Sequence, residues 1–463
     1  MRMSKDVCGG GEPRRRIAGE CPCGVSPERG LSERERPLPR AVSAYASLWS
    51  LARRHATKSS RHADQPMRYG LNLGSYVALV VLLVLSLGGC ATAQVESSDA
   101  GSAGSSYTTL ADDFHRTDLG CGWEPRSSME LSFAKCFTVD YFDAGYALVC
   151  VADGNRYLVV PEGAAPPEGL SSDVQVLYQP LGDVYLAASD SMCLFDALGA
   201  VDRITVSGIE RDDWFVPAAR DAMDAGAIVY GGKYRSPDYE LLLARGVRLA
   251  IESTMINHTP DVREKLQEMG IPVLVELSSY ESEPLGRAEW IRLYGLLCGK
   301  DEQASQVFDQ QVERVGAIDV PATQKTVAFF YLNANGAAVV RRPGDYVTKM
   351  IELAGGTYAF GDLESAQAGS SSLTMEMEQF FTMAKDADVM VYNGTIDDSV
   401  TTLDELLGKN ELLAECKAVQ TGEVWVCDQN MYQQMISCGD IIADLNRVLT
   451  GSGGTTTYLR RLA

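Results

Sequence analysis

Between residues 174 and 449, short apolar runs alternate with amphipathic segments that stop at glycine, and this happens twice, once on each side of a single long helical stretch. Strands alternating with helices need crossover connections, so the pattern calls for βαβ units and a parallel sheet rather than a sandwich or a helical bundle. In the first series the spacing predicts strands at 174–177, 204–206, 247–251 and 273–275, with helices at 191–198, 214–225, 238–245 and 260–269. Gly199, Gly246 and Gly270 close three of those helices, as glycine does where a helix ends in a left-handed residue. Ahead of the series, 137–142, 146–151 and 156–160 read as a β-meander with a turn at Asp153, Gly154 and Asn155. From 284 to 315 Leu285, Trp290, Ile291, Tyr294, Leu297, Ala304, Val307, Phe308 and Val312 recur near helical spacing, with Gly299 the one serious interruption. The second series has strands at 326–332, 389–392 and 423–426 and helices at 345–353, 375–385 and 439–449. The expected fold is α/β: two Rossmann-like lobes, 131–280 and 319–463, joined by one long α-helix within 281–318.

Charge separates this body from what precedes it. The 463 residues carry 41 Lys+Arg against 62 Asp+Glu, a net charge of −21 that disfavours nucleic acid as a partner. The balance is +6 through Pro66 and −28 from Cys90 onward. Between the two, after Met67 and Arg68, lies the apolar run 76–87, closing on Gly88, Gly89 and Cys90. It is too short to span a membrane as a helix but suits the h-region of a signal peptide over 67–89. Leu87-Gly88-Gly89-Cys90 resembles the lipobox of bacterial lipoproteins, which implies lipidation of Cys90 and a flexible tether over 90–130. Residues 1–66 then read as an untranslated or disordered upstream extension. Cys21 and Cys23 are too close for a usual zinc pair. Eight cysteines beyond Cys90 permit disulfides without requiring them.

Catalysis has little support, and the chain is expected not to be an enzyme. No GxSxG and no P-loop occurs, and beyond the signal only His115 and His258 are present, too few for a bare-metal site or a convincing triad. The rival is an anchored α/β enzyme using paired carboxylates such as Glu281 and Glu283, or a sensor lipoprotein without a small ligand. Two helix starts share a motif in which a capping residue is followed two places on by glutamate: Asp238-Tyr239-Glu240 and Thr374-Met375-Glu376.

With the lipobox, two α/β lobes, connecting helix and paired motifs in hand, the chain resembles the substrate-binding lipoproteins of ABC importers, in the class carrying iron-siderophore, haem and cobalamin complexes. The most specific stretches are 204–209, 251–255, 279–282, 284–287, 289–291, 385–388 and 392–394. The resemblance implies a clamp with no intrinsic cofactor that binds an iron chelate between its lobes. It further implies a monomer on the extracytoplasmic face of the cell membrane that delivers its solute to an ABC permease and its ATPase. Haem or cobalamin in the same role is the alternative. Glu240 and Glu376 match the permease-docking glutamates, with Glu378 a rival for the second. Ligand contacts are expected on loops after strand ends, which nominates Tyr178, Ser189, Tyr234, Glu252, Arg287, Asn335, Arg341, Arg342, Asn393 and Tyr432. Arg341 and Arg342 favour an anionic chelate, Arg287 alternatively braces Glu281 or Glu283, and Met431, Tyr432 or Met435 would be the axial candidates for haem.

Overall fold

Strand formation follows the apolar runs closely. The computed structural model describes residues 110–111, 113–318, 323–363 and 371–463. The upstream extension, signal segment, Cys90 and tether residues 91–109 lie outside the described residues, whereas 113–130, expected to be flexible tether, belongs to the fold: it supplies the strand Ser127–Ser128 and the fully buried Leu119. The first sheet has the order β1 (Ser127–Ser128), β2 (Phe137–Tyr141), β3 (Ala147–Val151), β4 (Arg156–Val160), β5 (Val174–Tyr178). It is antiparallel through β4, whereas β5 joins β4 in parallel. The run 174–177 thus completes the meander's sheet instead of opening the parallel series.

The second sheet is wholly parallel, in the order β10-β9-β6-β7-β8. Its members are β6 (Val184–Leu186), β7 (Ile204–Ser207), β8 (Val229–Tyr230), β9 (Leu249–Ser253) and β10 (Val273–Glu276). All but one residue of β9 and all of β10 are buried, as expected of strands covered on both faces. The third sheet contains β11 (Thr326–Leu332), β12 (Ala338–Arg341), β13 (Thr357–Tyr358), β14 (Ser372–Met375), β15 (Val389–Asn393), β16 (Val424–Cys427) and β17 (Leu459–Arg461). β11, β15 and β16 form its parallel centre, while β12, β14 and β17 extend it in antiparallel pairings.

The connection between these halves corrects the expectation of one long helix. It consists of three helices, Pro284–Glu289, Ile291–Cys298 and Asp301–Gly316. Gly299 sits at φ 68° and ends the second of them, with Lys300 N–H donating back to Gly295 O at 2.7 Å. A left-handed residue cannot continue a right-handed helix, so the chain turns there. The third helix packs back on the second: a Cβ on Gly295 would stand 2.4 Å from Ala304 Cβ.

Buried acids on this connection hold the segment leading into the first sheet. Glu289, 0% exposed, accepts the backbone N–H groups of Ser132, Phe133 and Ala134. Glu281 accepts those of Lys135 and Cys136 together with the Trp290 indole N–H. Burial pushes both carboxyls up, and the donated hydrogen bonds oppose it. Glu281 is therefore a backbone anchor.

Helix starts also alter the matched motifs. Asp238 caps the helix Tyr239–Ala244, accepting from Leu241 N–H at 3.0 Å, and Glu240 lies in its first turn. Thr374 and Met375 instead belong to β14, where Thr374 pairs with Val339, and the following helix spans Met377–Ala384. Strand pairing takes up the expected cap, so Glu376 is the N-cap position and Glu378 is the first-turn acid that matches Glu240.

Candidate functional site

The two halves meet through a few polar side chains, and the site is built around them. Asp190, in the 3-10 turn Ser189–Ser191 just after β6, comes from the first half. Arg287, on the first connecting helix and 5% exposed, lies 3.3 Å from Asp190. Its guanidinium stacks 4.0 Å from the ring centroid of Tyr346, which opens a helix of the second half. The carboxylate beside Arg287 is thus Asp190, a partner the sequence did not nominate. Beneath it, Glu276 accepts from Ser278 N–H at 2.8 Å, and burial together with the nearby Asp190 charge pushes its carboxyl well up. Tyr294 OH donates to Ser191 Oγ at 2.8 Å, completing a polar layer inside an otherwise apolar junction.

A second contact is made by one amide. Gln433 Oε1 accepts the Phe215 N–H at 2.7 Å while its Nε2 donates to Asp213 O at 2.8 Å. Gln433 is 6% exposed. Satisfying both ends of a buried amide on the opposite half's backbone ties the loop after β7 to the loop after β16.

Next to this junction a cavity of about 200 Å³ opens among the strand ends of the third sheet. Arg341, Asn393 and Tyr432 line it with Phe329, Tyr331, Val339, Val340, Ser371, Ser372 and Ile396. Arg341 stands at the end of β12, 3.7 Å from Asp345 and 5.8 Å from the Tyr346 centroid. One of its N–H groups reaches Ser371 Oγ at 3.3 Å. Burial pushes the Asp345 carboxyl up, opposed by Arg341. Asn393, 3% exposed at the end of β15, accepts from Thr395 Oγ1 at 2.6 Å. Tyr432 and Ile396 are 46% and 52% exposed, leaving a phenol and an aliphatic side chain open to a ligand. A further hollow of about 370 Å³ lies on the other side of the loop after β16, where Phe215 of the first half meets Asp398, Asp428, Gln429 and Arg460.

Three of the ten nominated contacts are therefore brought together, with Arg287 beneath them. The rest are elsewhere. Arg342 turns to Ser372 O at 3.2 Å, and Asn335 sits exposed in the β11–β12 turn. Tyr178 is 48% exposed at the end of β5 in the first sheet. Ser189 only begins the turn that carries Asp190, and Tyr234 lies half-buried in the loop 232–238. Glu252 is corrected outright: it is 0% exposed inside β9, and neither carboxyl oxygen has a hydrogen-bond partner. It directly follows the expected strand 247–251 and so resembled a loop contact, but β9 runs on to Ser253 and the side chain is held in the core.

The residues missed were Tyr331, Ser371, Ser372, Phe215 and Gln433. Phe329 and Tyr331 alternate along β11, which the period of two could have revealed. Among the described residues no cluster of three or more His, Cys, Asp or Glu is arranged to hold a metal ion. Of the haem candidates, Met431 and Met435 are buried and only Tyr432 reaches the cavity. All eight described cysteines are free thiols, and no described helix is long and apolar enough to cross a membrane.

Residues 186–431 match the family model described as "Periplasmic binding protein". Two uncharacterized lipoproteins of Methanocaldococcus jannaschii are similar in sequence. One is 24% identical over 349 residues, covering 69% of this chain and 81% of the relative. The other is 25% identical over 316 residues, covering 63% and 75%. Among solved structures, the periplasmic haem-binding protein of Vibrio cholerae aligns at TM-score 0.48 and 19% identity, over 58% of this chain and 98% of that one. A hydroxamate-transport protein of Saccharomonospora viridis aligns at 0.45 and 19%, over 58% and 93%.

Proposed function

This chain belongs to the periplasmic binding protein family, and on that premise we propose that it captures an iron chelate of the siderophore type and hands it to an ABC permease. Its place is the extracytoplasmic face of the cell membrane, held by a lipid on Cys90, and the energy comes from the importer's ATPase. One observation carries the choice of an anionic chelate: Arg341 presents its guanidinium to the same cavity as Tyr331, Asn393 and Tyr432, beside the junction of the two halves. A guanidinium fork suits carboxylate or hydroxamate oxygens, and the aromatic walls suit the apolar flanks of a chelator. At about 200 Å³ the cavity is below the usual range of roughly 300–1,000 Å³ for ligand pockets, so it takes one arm of the chelate while the remainder lies toward the first half.

Docking on the permease is assigned to Glu240 and Glu378, the first-turn acids of two helices, one in each half. Such rim charges steer orientation more than they add affinity. The test is titration of the purified protein with ferric siderophores, haem and cobalamin, with ferric citrate and zinc as controls. Saturable binding of a ferric siderophore without turnover supports the reading. Selective binding of haem or cobalamin moves the assignment to that cargo, and turnover of the ligand refutes a pure receptor.

A further inference from the structure

A hollow of about 610 Å³ lies on the first sheet, in a part of the chain that precedes the family-matched residues 186–431. Its walls are aromatic. Trp123 and Tyr146 meet edge to face, with centroids 4.9 Å apart and planes at 72°. Phe142 closes the corner, 6.4 Å from Trp123 and tilted by 42°.

These rings are held in place before any ligand arrives. Tyr146 OH donates to Ala165 O at 2.6 Å, and Phe142 is 6% exposed in the hydrophobic layer behind it. The turn between β2 and β3 lends Ala144 to the hollow at φ 60°, a left-handed backbone that a residue with a Cβ keeps only where its surroundings enforce it.

Charge selects the ligand. The lining residues carry two carboxylates, Glu124 and Asp143, against one guanidinium, Arg126. Arg126 is committed to Asp143 through two hydrogen bonds of 2.9 and 2.5 Å, so the pair is internally neutral and Glu124 supplies the net negative charge. Aromatic faces bear negative quadrupole potential, and rings set nearly at right angles offer a methylated ammonium contact on more than one side. An anion, by contrast, meets both the π faces and an uncompensated carboxylate. The hollow therefore has the opposite preference from the Arg341 cavity.

We propose that this hollow is a second binding site, separate from the chelate site, for an organic cation bearing an alkylated ammonium group. Calorimetric titration of the purified full chain tests it, using choline and its uncharged carbon analogue 3,3-dimethylbutan-1-ol as probes. The expected result is saturable one-site binding of choline, with the uncharged analogue weaker by about tenfold or more. Trp123→Leu and Glu124→Gln should each weaken choline binding about fivefold or more. Glu124 is exposed, so its variant keeps the fold and remains informative if Trp123→Leu does not. Absence of saturable choline binding, equal affinity for the uncharged analogue, or unchanged affinity in folded Glu124→Gln overturns the proposal.

Discussion

Replacing Glu252 with Gln should flatten the pH dependence of stability by a calculable slope. Glu252 is fully buried within β9, its two oxygens have no partner, and burial pushes its carboxyl well up. Tyr185 on β6 and Tyr239 on the neighbouring helix are near enough for its charge to raise their own hydroxyls further, so no cation offsets it from those elements. In the folded protein the carboxyl keeps its proton above the unfolded value of about 4.3. The unfolded chain then binds fewer protons than the folded one, and stability falls as pH rises through that window until the folded carboxyl itself ionises. One proton retained corresponds to about 1.4 kcal/mol per pH unit, so above about pH 5 the wild type should lose stability at up to that slope for as long as the folded carboxyl stays protonated, a loss the Gln variant is spared. Urea unfolding followed by circular dichroism at pH 5, 6 and 7 measures the difference. Glu276 titrates similarly in both proteins and cancels. Parallel curves for wild type and Glu252→Gln would refute the reasoning, because they would mean that the folded carboxyl is ionised or solvated.

Three further outcomes follow from contacts at the junction and the connection. Arg341→Ala removes the cavity's guanidinium and should weaken binding of a ferric siderophore about 10- to 100-fold by calorimetry, and should also lower the thermal midpoint because Asp345 loses its buried partner. Gln433→Ala leaves the Phe215 N–H and Asp213 O without their partner, so amide exchange at Phe215 should accelerate about tenfold or more. Gly295→Val drives side-chain carbon into Ala304, where even a Cβ would stand 2.4 Å from Ala304 Cβ, and should destabilise the chain by about 1–3 kcal/mol or more in urea unfolding.

The α/β class was legible because strand and helix periodicities alternate cleanly from β6 to β16, and glycine stops such as Gly199 and Gly246 sit where the helices end. What failed did so where tertiary pairing outweighed local signals. Gly299 reads as one weak residue in a long amphipathic pattern, yet its left-handed backbone divides the connection and lets Ala304 pack on Gly295. Thr374 resembles a helix cap until the strand at Val339 claims it. Site residues on strands were the hardest to identify. Arg341 and Asn393 were nominated from strand ends, and the cavity includes both, but the same rule nominated Glu252, whose alternation points inward. Gln433 carries no motif at all; only the approach of Asp213 and Phe215, more than 200 positions away in sequence, gives its amide a role.

The central claim is tested most directly by titrating the purified protein and its Arg341→Ala variant with a panel of ferric siderophores under one set of conditions. The account predicts saturable one-to-one binding of at least one chelate by the wild type and a loss of about tenfold or more in the variant. Absence of binding by the folded wild type, or equal affinity in the variant, would contradict it.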